Sequence, residues 1–413
     1  MRISSSLMYQ IAVSQFSRKE AQQVQLYEQI STGLRVVRPG DDPLAASQAV
    51  RTSQNLALNE RFTANRQVAK HNLGETSQML DATVNTLQDV TTRLVEVGNG
   101  IYSETDQRAL AKVLKESYDR LLNQANARDG NGVYMFSGHR GDVAPFQTDS
   151  EGWVSSAYQG DAGRRLIQVD QTRQIPTADS ALDVFARANP GDKSYVASAA
   201  AGNQGSATFS SPAVTGQGGE HVGKTLNIAF ETDPAVAGGV RYVVTDATQT
   251  VLESGAYDPQ AGLNLSLGGV SLAFQGEPAA GDSFTLEPMA QADMDVFSTL
   301  RRTIEALESL DKADPASVAR FQNVVGEAQR KLSSVYDNVL TVQASMGARM
   351  NELSALDTVG TARGLSYAKQ LDNLVGLDEF AAYSQQVYYK NALEASMLAF
   401  QRIQSLGLFN GNN

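Results

Sequence analysis

Apolar residues recur every seven positions along Leu73, Leu80, Leu87, Leu94 and Ile101, with Val84 between them. Near the other end Phe321, Val325, Ala328, Leu332, Val335, Val339, Val342, Met346, Arg349, Leu353 and Leu356 alternate spacings of four and three. Only Arg349 interrupts that series. A period of 3.5 residues predicts long helices packed lengthwise. Asp42-Pro43 suits the start of the first long helix, because proline needs no partner for a missing N–H in the first turn. Shorter helices are predicted over Asp106–Ala127, through Leu110, Leu114, Tyr118 and Leu121, and over Asp293–Leu310, through Phe297, Leu300, Ile304 and Leu307.

The middle of the chain has the other period. Leu226, Ile228 and Phe230 alternate along the chain. So do Tyr242 and Val244, then Leu263, Leu265 and Leu267, then Phe284 and Leu286. Gly238-Gly239 and Gly268-Gly269 supply turns between such strands. The small-residue stretch Ala197–Gly219 reads as a loop ahead of the strands. The fold class expected is α+β. N- and C-terminal flanks form a long antiparallel, coiled-coil-like helical rod, and an all-β region is inserted in the middle. That region is expected to make its contacts within itself, so that Ala197–Met289 can be shortened without unfolding the helices.

The two ends are amphipathic but lack a neighbour in sequence. Tyr9, Val13, Phe16, Tyr27, Ile30 and Leu34 keep a four-three rhythm that Glu20 and Gln23 break. Val387, Leu393, Met397, Phe400, Ile403 and Leu406 form a second stripe. A lone amphipathic helix is marginal in water. The ends are therefore expected to pair with each other or with neighbouring copies, and to be disordered in the free chain.

Composition sharpens this picture. Of 413 residues, 45 are acidic and 34 basic, a net charge of −11. Between Gly138 and Ala290 lie 20 of the 34 glycines, 8 of the 11 prolines, and 17 acidic residues against 8 basic ones. An acidic chain with its charge concentrated in the β region argues against nucleic-acid binding. No apolar run is long enough for a membrane-spanning helix, so no membrane insertion is expected. The N-terminus lacks the apolar core and cleavage site of a secretory signal. Cysteine is absent, which removes disulfides and thiolate chemistry together.

Gly218 to Thr225 fits the phosphate-loop pattern G-x-x-x-x-G-K-T, with Lys224 as its lysine. The pattern requires a helix after Thr225, and Leu226–Phe230 alternates like a strand. The segment reads as a turn, and an NTPase is the remote reading. His71, His139 and His221 have no second ligand at helical spacing, so no metal site is expected. Asp293 and Asp295 read as helix caps rather than a calcium loop. Asn264-Leu-Ser266, a glycosylation-type triplet, reads as chance in a strand. No nucleophile, base and orienter assemble, so neither catalytic residues nor cofactor are expected.

The specific signals lie at the ends. Gln29-Ile-Ser-Thr-Gly33-Leu-Arg35, followed by Pro39-Gly-Asp-Asp-Pro43, closely resembles the N-terminal signature of the bacterial flagellin superfamily. Met1-Arg-Ile-Ser4 with Tyr9, Gly132-Val-Tyr-Met-Phe-Ser-Gly138, Tyr158-Gln-Gly-Asp161 and Ile403-Gln-Ser-Leu-Gly-Leu-Phe409 resemble its hook-associated branch. Gly40 and Gly407 stand where serine is commoner. The resemblance implies a structural, non-enzymatic flagellar subunit, exported without a cleaved signal and placed outside the cell. It would form a ring with its own copies between hook-associated protein 1 and the flagellin filament, with a flagellar export chaperone on its C-terminal helix. A filament flagellin is the near alternative and a coiled-coil adhesin a further one. The implied organisation is terminal helices in 1–42 plus 365–413, forming an inner layer on assembly. A helical domain in 43–137 plus 291–364 follows, with β modules in 138–190 and 191–290. The implied contact residues are Tyr9, Val13, Phe16, Tyr27, Ile30, Leu34, Arg35, Pro39, Asp41, Asp42, Pro43, Leu393, Met397, Phe400, Ile403, Leu406, Leu408 and Phe409.

Overall fold

The computed structural model describes residues 5–99, 103–155, 157–236 and 239–407. The chain divides into two compact units. One draws on Met1–Arg66 and Ser354–Asn413, the other is Gln67–Leu353. In chain order the helices α1 (Ser5–Thr32), α2 (Pro43–Asn99) and α3 (Glu104–Ala125) come first. The middle holds β1 (Leu166–Gln168), β2 (Gln174–Pro176), a short α4 (Ala181–Phe185), β3 (Tyr195–Ala199), β4 (Thr208–Phe209) and β5 (Ala213–Val214). It continues through β6 (Leu226–Thr232), β7 (Val240–Asp246), β8 (Val251–Ala256), β9 (Leu263–Leu267), β10 (Val270–Gln275) and β11 (Ser283–Pro288). Helices α5 (Val296–Glu308), α6 (Pro315–Val375) and α7 (Glu379–Gly407) close the chain. Long helices at both ends with an antiparallel β region between them match the expected class.

In the larger unit the seven-residue pattern is the core: Leu73, Leu80, Leu87 and Leu94 are fully buried. Ile101 lies outside the described residues. The second position of each heptad belongs to Thr76, Thr83, Val90 and Val97, all buried, whereas Val84 is only half-buried. The threonines serve as apolar residues because Thr76 and Thr83 each donate their hydroxyl to the carbonyl four residues back. On α6 the predicted series from Phe321 to Leu353 is buried, apart from half-buried Val342 and Arg349. The Arg349 guanidinium is satisfied by the buried Asp179 carboxylate at 2.9 Å. Asp295 caps α5 by accepting from the Phe297 and Ser298 N–H groups, as the sequence suggests. Tyr118, Phe146, Phe185 and Phe297 pack ring against ring between the helices and the loops that follow α3.

The β region is two facing sheets around one core. The first has strand order β3-β11-β6-β7-β8, and in the second β10 pairs with β4 and β5 along one side and with β9. Phe230, Phe274 and Phe284 meet at the centre. Gly268 and Gly269 turn β9 into β10 with positive φ at both residues. Gly238 lies outside the described residues. Ala197–Gly219 is not one loop. It completes β3 and contains β4 and β5, whose pairing partners β11 and β10 lie far along the chain, so no local pattern marks them.

The expectation that this region contacts only itself is overturned. A polar strip on α6 hydrogen-bonds its backbone. Asn323 accepts from the Phe209 N–H and donates to the Ala207 carbonyl. Arg330 donates to the carbonyls of Tyr195 and Pro212. Asn338 donates to the Asp183 carbonyl at 2.8 Å. These side chains alternate with the apolar series, so one helix carries two buried faces.

Candidate functional site

The phosphate-loop pattern is excluded by geometry. Gly218–Thr225 is a run of turns leading straight into β6. The Gly223 and Lys224 N–H groups, which would have to face a phosphate, both donate to the Tyr195 hydroxyl, at 2.6 and 3.1 Å. Among the described residues no three His, Asp or Glu side chains are grouped to hold a metal. No helix among them is long and apolar enough to cross a membrane. What remains is the smaller unit.

There α1 and α7 run antiparallel. Ala12, Phe16, Lys19, Gln23, Leu26 and Ile30 form the α1 side, at spacings of 4, 3, 4, 3 and 4, and are half-buried or buried. Ala382, Gln386, Tyr389, Leu393 and Phe400 answer from α7. This is a coiled-coil seam. The sequence-based stripe shares Phe16, Ile30, Leu393 and Phe400 with it but is one face out elsewhere. Val13, Tyr27 and Leu34 are more exposed than buried partners would be, and Val387 faces outward. The signal was hidden because Lys19 and Gln23 occupy seam positions. Lys19 lays its aliphatic stem inward and its ammonium over the Tyr389 ring at 5.3 Å. The Tyr27 hydroxyl is made more acidic chiefly by a hydrogen bond from Gln386. An apolar groove of about 380 Å³ opens along the seam, lined by Val13, Phe16, Met397 and Phe400. The side chains of Tyr9, Ile403 and Leu406, and the whole of Leu408 and Phe409, lie outside the described residues.

The signature residues fold a joint. Gly33 leaves α1 with φ +69°, a conformation open to glycine. Leu34 then bridges Gly376 in the connector between α6 and α7. The Arg35 N–H donates to the Val375 carbonyl at 2.7 Å, its guanidinium reaches the Leu374 carbonyl, and the Leu377 N–H donates back to Gly33. Asp42 caps α2 through the Ala45 N–H and pairs with Arg35. The Ala45 hydrogen bond, ahead of the Arg35 pairing, holds the Asp42 carboxyl below the usual carboxylate range. Asp41 accepts from the Val37 and Arg38 N–H groups, and Arg38 pairs with Glu28 at 2.9 Å. Pro43 is the first residue of α2, and Pro39 is exposed on the turn. Thus Arg35, Asp41 and Asp42 are spent on the connector itself.

Two further features escaped the sequence reading. Arg66, 2% exposed, is buried between α2 and α6 against Asp357 at 2.5 Å. A Cβ on Gly360 would lie 2.3 Å from its guanidinium, and Asn59 donates to the Gly360 carbonyl. The other feature is the outward face of α7, where Phe380, Tyr383, Val387 and Leu398 stand in solvent. In the larger unit, the motif Phe136–Gly138 is held by Tyr158 and Asp161. The Tyr158 hydroxyl donates to the Phe136 carbonyl, and the Asp161 carboxylate accepts from the His139 and Gly163 N–H groups.

A family model described as the bacterial flagellin N-terminal helical region matches residues 3–140. Flagellar hook-associated protein 3 of Escherichia coli (strain K12) is 29% identical over 409 residues, covering 99% of each chain. The crystal structure of Xanthomonas campestris FlgL superposes with a TM-score of 0.66 at 26% identity, covering 78% of this chain and 99% of that one. The flagellar junction protein FlgL from Legionella pneumophila gives 0.63 at 25% identity, covering 80% and 100%. The resemblance carried by the connector and the terminal motifs therefore extends along the whole chain. The chain carries a flagellin-type N-terminal region and is similar throughout to flagellar hook-associated protein 3.

Proposed function

We propose that this chain is a structural subunit of the bacterial flagellum that forms a ring between hook-associated protein 1 and the flagellin filament. One observation carries the reading. The flagellin-type signature builds a paired-helix unit whose apolar residues are only partly used within one chain, which is what a subunit needs if neighbours complete it. The end-to-end similarity to flagellar hook-associated protein 3, and to a solved protein named as a flagellar junction protein, supports it. On this reading the chain passes through the flagellar export system without a cleaved signal and works outside the cell, without cofactor or catalysis.

The α7 stripe is exposed to the wrong surroundings until α1 and its neighbours cover it. An export chaperone on α7 before assembly meets that need, and would compete with α1 for Leu393 and Phe400. Phe400→Ala is expected to weaken both contacts by roughly 1–3 kcal/mol, as for a large interface anchor.

Deleting the gene tests the function. Cells should bear hooks without filaments and shed flagellin into the medium. Filaments still attached to hooks would overturn the reading. Purified chain that grows long filaments alone would move it to a filament flagellin. ATP binding lost in Lys224→Ala would revive the nucleotide reading.

A further inference from the structure

The β sandwich has two pairs of sheet edges, and only one pair is covered. At β3 and at β4–β5 the polar strip of α6 supplies the partners: Asn323 bonds Phe209 and Ala207, and Arg330 bonds the Tyr195 and Pro212 carbonyls. The opposite edges are β8 and β9. On β10, the Gly269 and Ala273 carbonyls accept from Thr215 and Ser210 on the β4–β5 side. Strand alternation then turns Val270, Leu272 and Phe274 toward β9, where they face Leu267, Leu265 and Leu263. The N–H and C=O groups of Asn264 and Ser266 therefore point away from β10, and no described residue bonds them. Natural sheets close such an edge with a charge, a proline or a bulge. β9 has none of these, and its register on β10 is unbroken. The chain carries no charge at all from Pro259 to Gly276. The β8 edge is less open, because Glu253 stands on it and a register shift lies beside it between Val244 and Thr245.

We propose that β9 is a docking edge, to which an extended, basic segment of another polypeptide adds as a further strand. Backbone bonds to Asn264 and Ser266 supply the contact, as in strand addition generally. Charge chooses the occupant. Residues 191–290 hold ten acidic and three basic side chains. An acidic segment, or the same region of a second copy, is repelled, while lysine or arginine beside the added strand is drawn in. The Asn264 and Ser266 side chains are small and exposed, which leaves room for those of the added strand. The edge belongs to the larger unit, and its occupancy does not depend on the ring reading above.

The probe is a labelled synthetic peptide. It carries the β10 sequence Val270–Gln275, which β9 already pairs with on its other side, flanked by lysines at both ends. Its fluorescence anisotropy is titrated with the purified full chain. Saturable binding is expected, weakened about tenfold in Asn264→Pro, where an edge donor is lost and a ring blocks the approach. Proline is tolerated at an edge position whose N–H faces solvent, so this variant should keep the melting curve of the unsubstituted chain. Ser266→Lys keeps every backbone group and adds a charge to the edge. It should weaken binding several-fold, and it decides the matter if the proline variant fails to fold. The same peptide flanked by glutamates should bind several-fold more weakly. No saturable binding of the lysine-flanked peptide overturns the proposal, as does binding that neither variant changes. Equal binding of the glutamate-flanked peptide overturns the basic occupant. A chain that dimerises in sedimentation, and stops doing so in Asn264→Pro, overturns it too and assigns the edge to a second copy.

Discussion

The two units of this molecule use apolar residues in opposite ways. In Gln67–Leu353 the heptad positions are sealed: Leu73, Leu80, Leu87 and Leu94 have no exposed surface, and four aromatic rings fill the space beside α5. In the unit built from the chain ends, seam residues are mostly half-buried, and Phe380, Leu365 and Leu398 face solvent. The first unit seals its heptad core within one copy. The second has its backbone order fixed, through the Leu34–Gly376 bridge and the Arg35 bonds, but not its apolar surface. Internal satisfaction of connectors and incomplete burial of helices together are what the proposed ring subunit requires.

The sharpest way to break this comparison is to remove one large aromatic from each unit. Phe297→Ala, at the meeting point of Tyr118, Phe146 and Phe185, should cost about 3–5 kcal/mol of stability. A denaturant titration of the purified chain reads it directly. Phe380→Ser should leave the same titration within about 0.5 kcal/mol of the unsubstituted chain, yet abolish filament attachment in cells. A large stability loss from Phe380→Ser would show that its face is covered within one copy.

A second test concerns the smaller unit's own lock. Arg66→Met keeps much of the side chain's volume but leaves Asp357 without its buried partner. Breaking buried pairs costs about 3–5 kcal/mol, and the part-exposed Asp357 should bring the figure toward the lower end. The double variant Arg66→Met/Asp357→Leu should recover most of the loss. Failure to recover would mean that the pair does more than neutralise one charge. Next in size is the α6 polar strip. Asn338→Ala strands the Asp183 carbonyl and should cost about 1–3 kcal/mol. Thermal melting of the larger unit reads it.

What the sequence showed and hid follows the same division. Leu73–Leu94 and Phe321–Leu353 were legible because burial there is set by helix period alone. Thr76 and Thr83 were not, because their polarity is cancelled by their own helix, which composition does not reveal. The terminal stripes were found in outline and displaced by a face, because Lys19 and Gln23 sit at seam positions while Val13 and Val387 do not. Arg35, Asp41 and Asp42 were recognised from their order in the chain; Asp41 and Asp42 bond locally, whereas the Arg35 bonds to the Leu374 and Val375 carbonyls, more than 300 residues away, have no local signature. β4 and β5 were missed for that reason too: two-residue strands exist only through β10.

The smallest expected effect tests how the larger unit tolerates charge under its sheet. Glu287 on β11 is raised above the ordinary glutamate range, first by burial and then by Glu327 and Asp293, with Lys331 opposing them. Glu327 and Lys331 are paired at 2.9 Å on α6, and Arg302 holds Glu327 from α5. A carboxyl whose folded value is raised resists losing its proton in the fold. Below its ordinary value of 4.5 the group is neutral in both states and contributes nothing. As pH rises past that value the unfolded chain ionises freely, the folded chain only reluctantly, and folding is penalised. Glu287→Gln removes the penalty while keeping the side chain's shape. The variant should therefore be slightly more stable than the unsubstituted chain at pH 7, with the difference vanishing below about pH 4. The size is discounted because Glu287 is part-exposed and water screens it. Melting temperatures of both chains at several pH values decide it. A variant less stable at pH 7 would show that the Glu287 charge is held by Lys331 as part of the network, and that the sheet rests on a paired rather than a strained carboxylate.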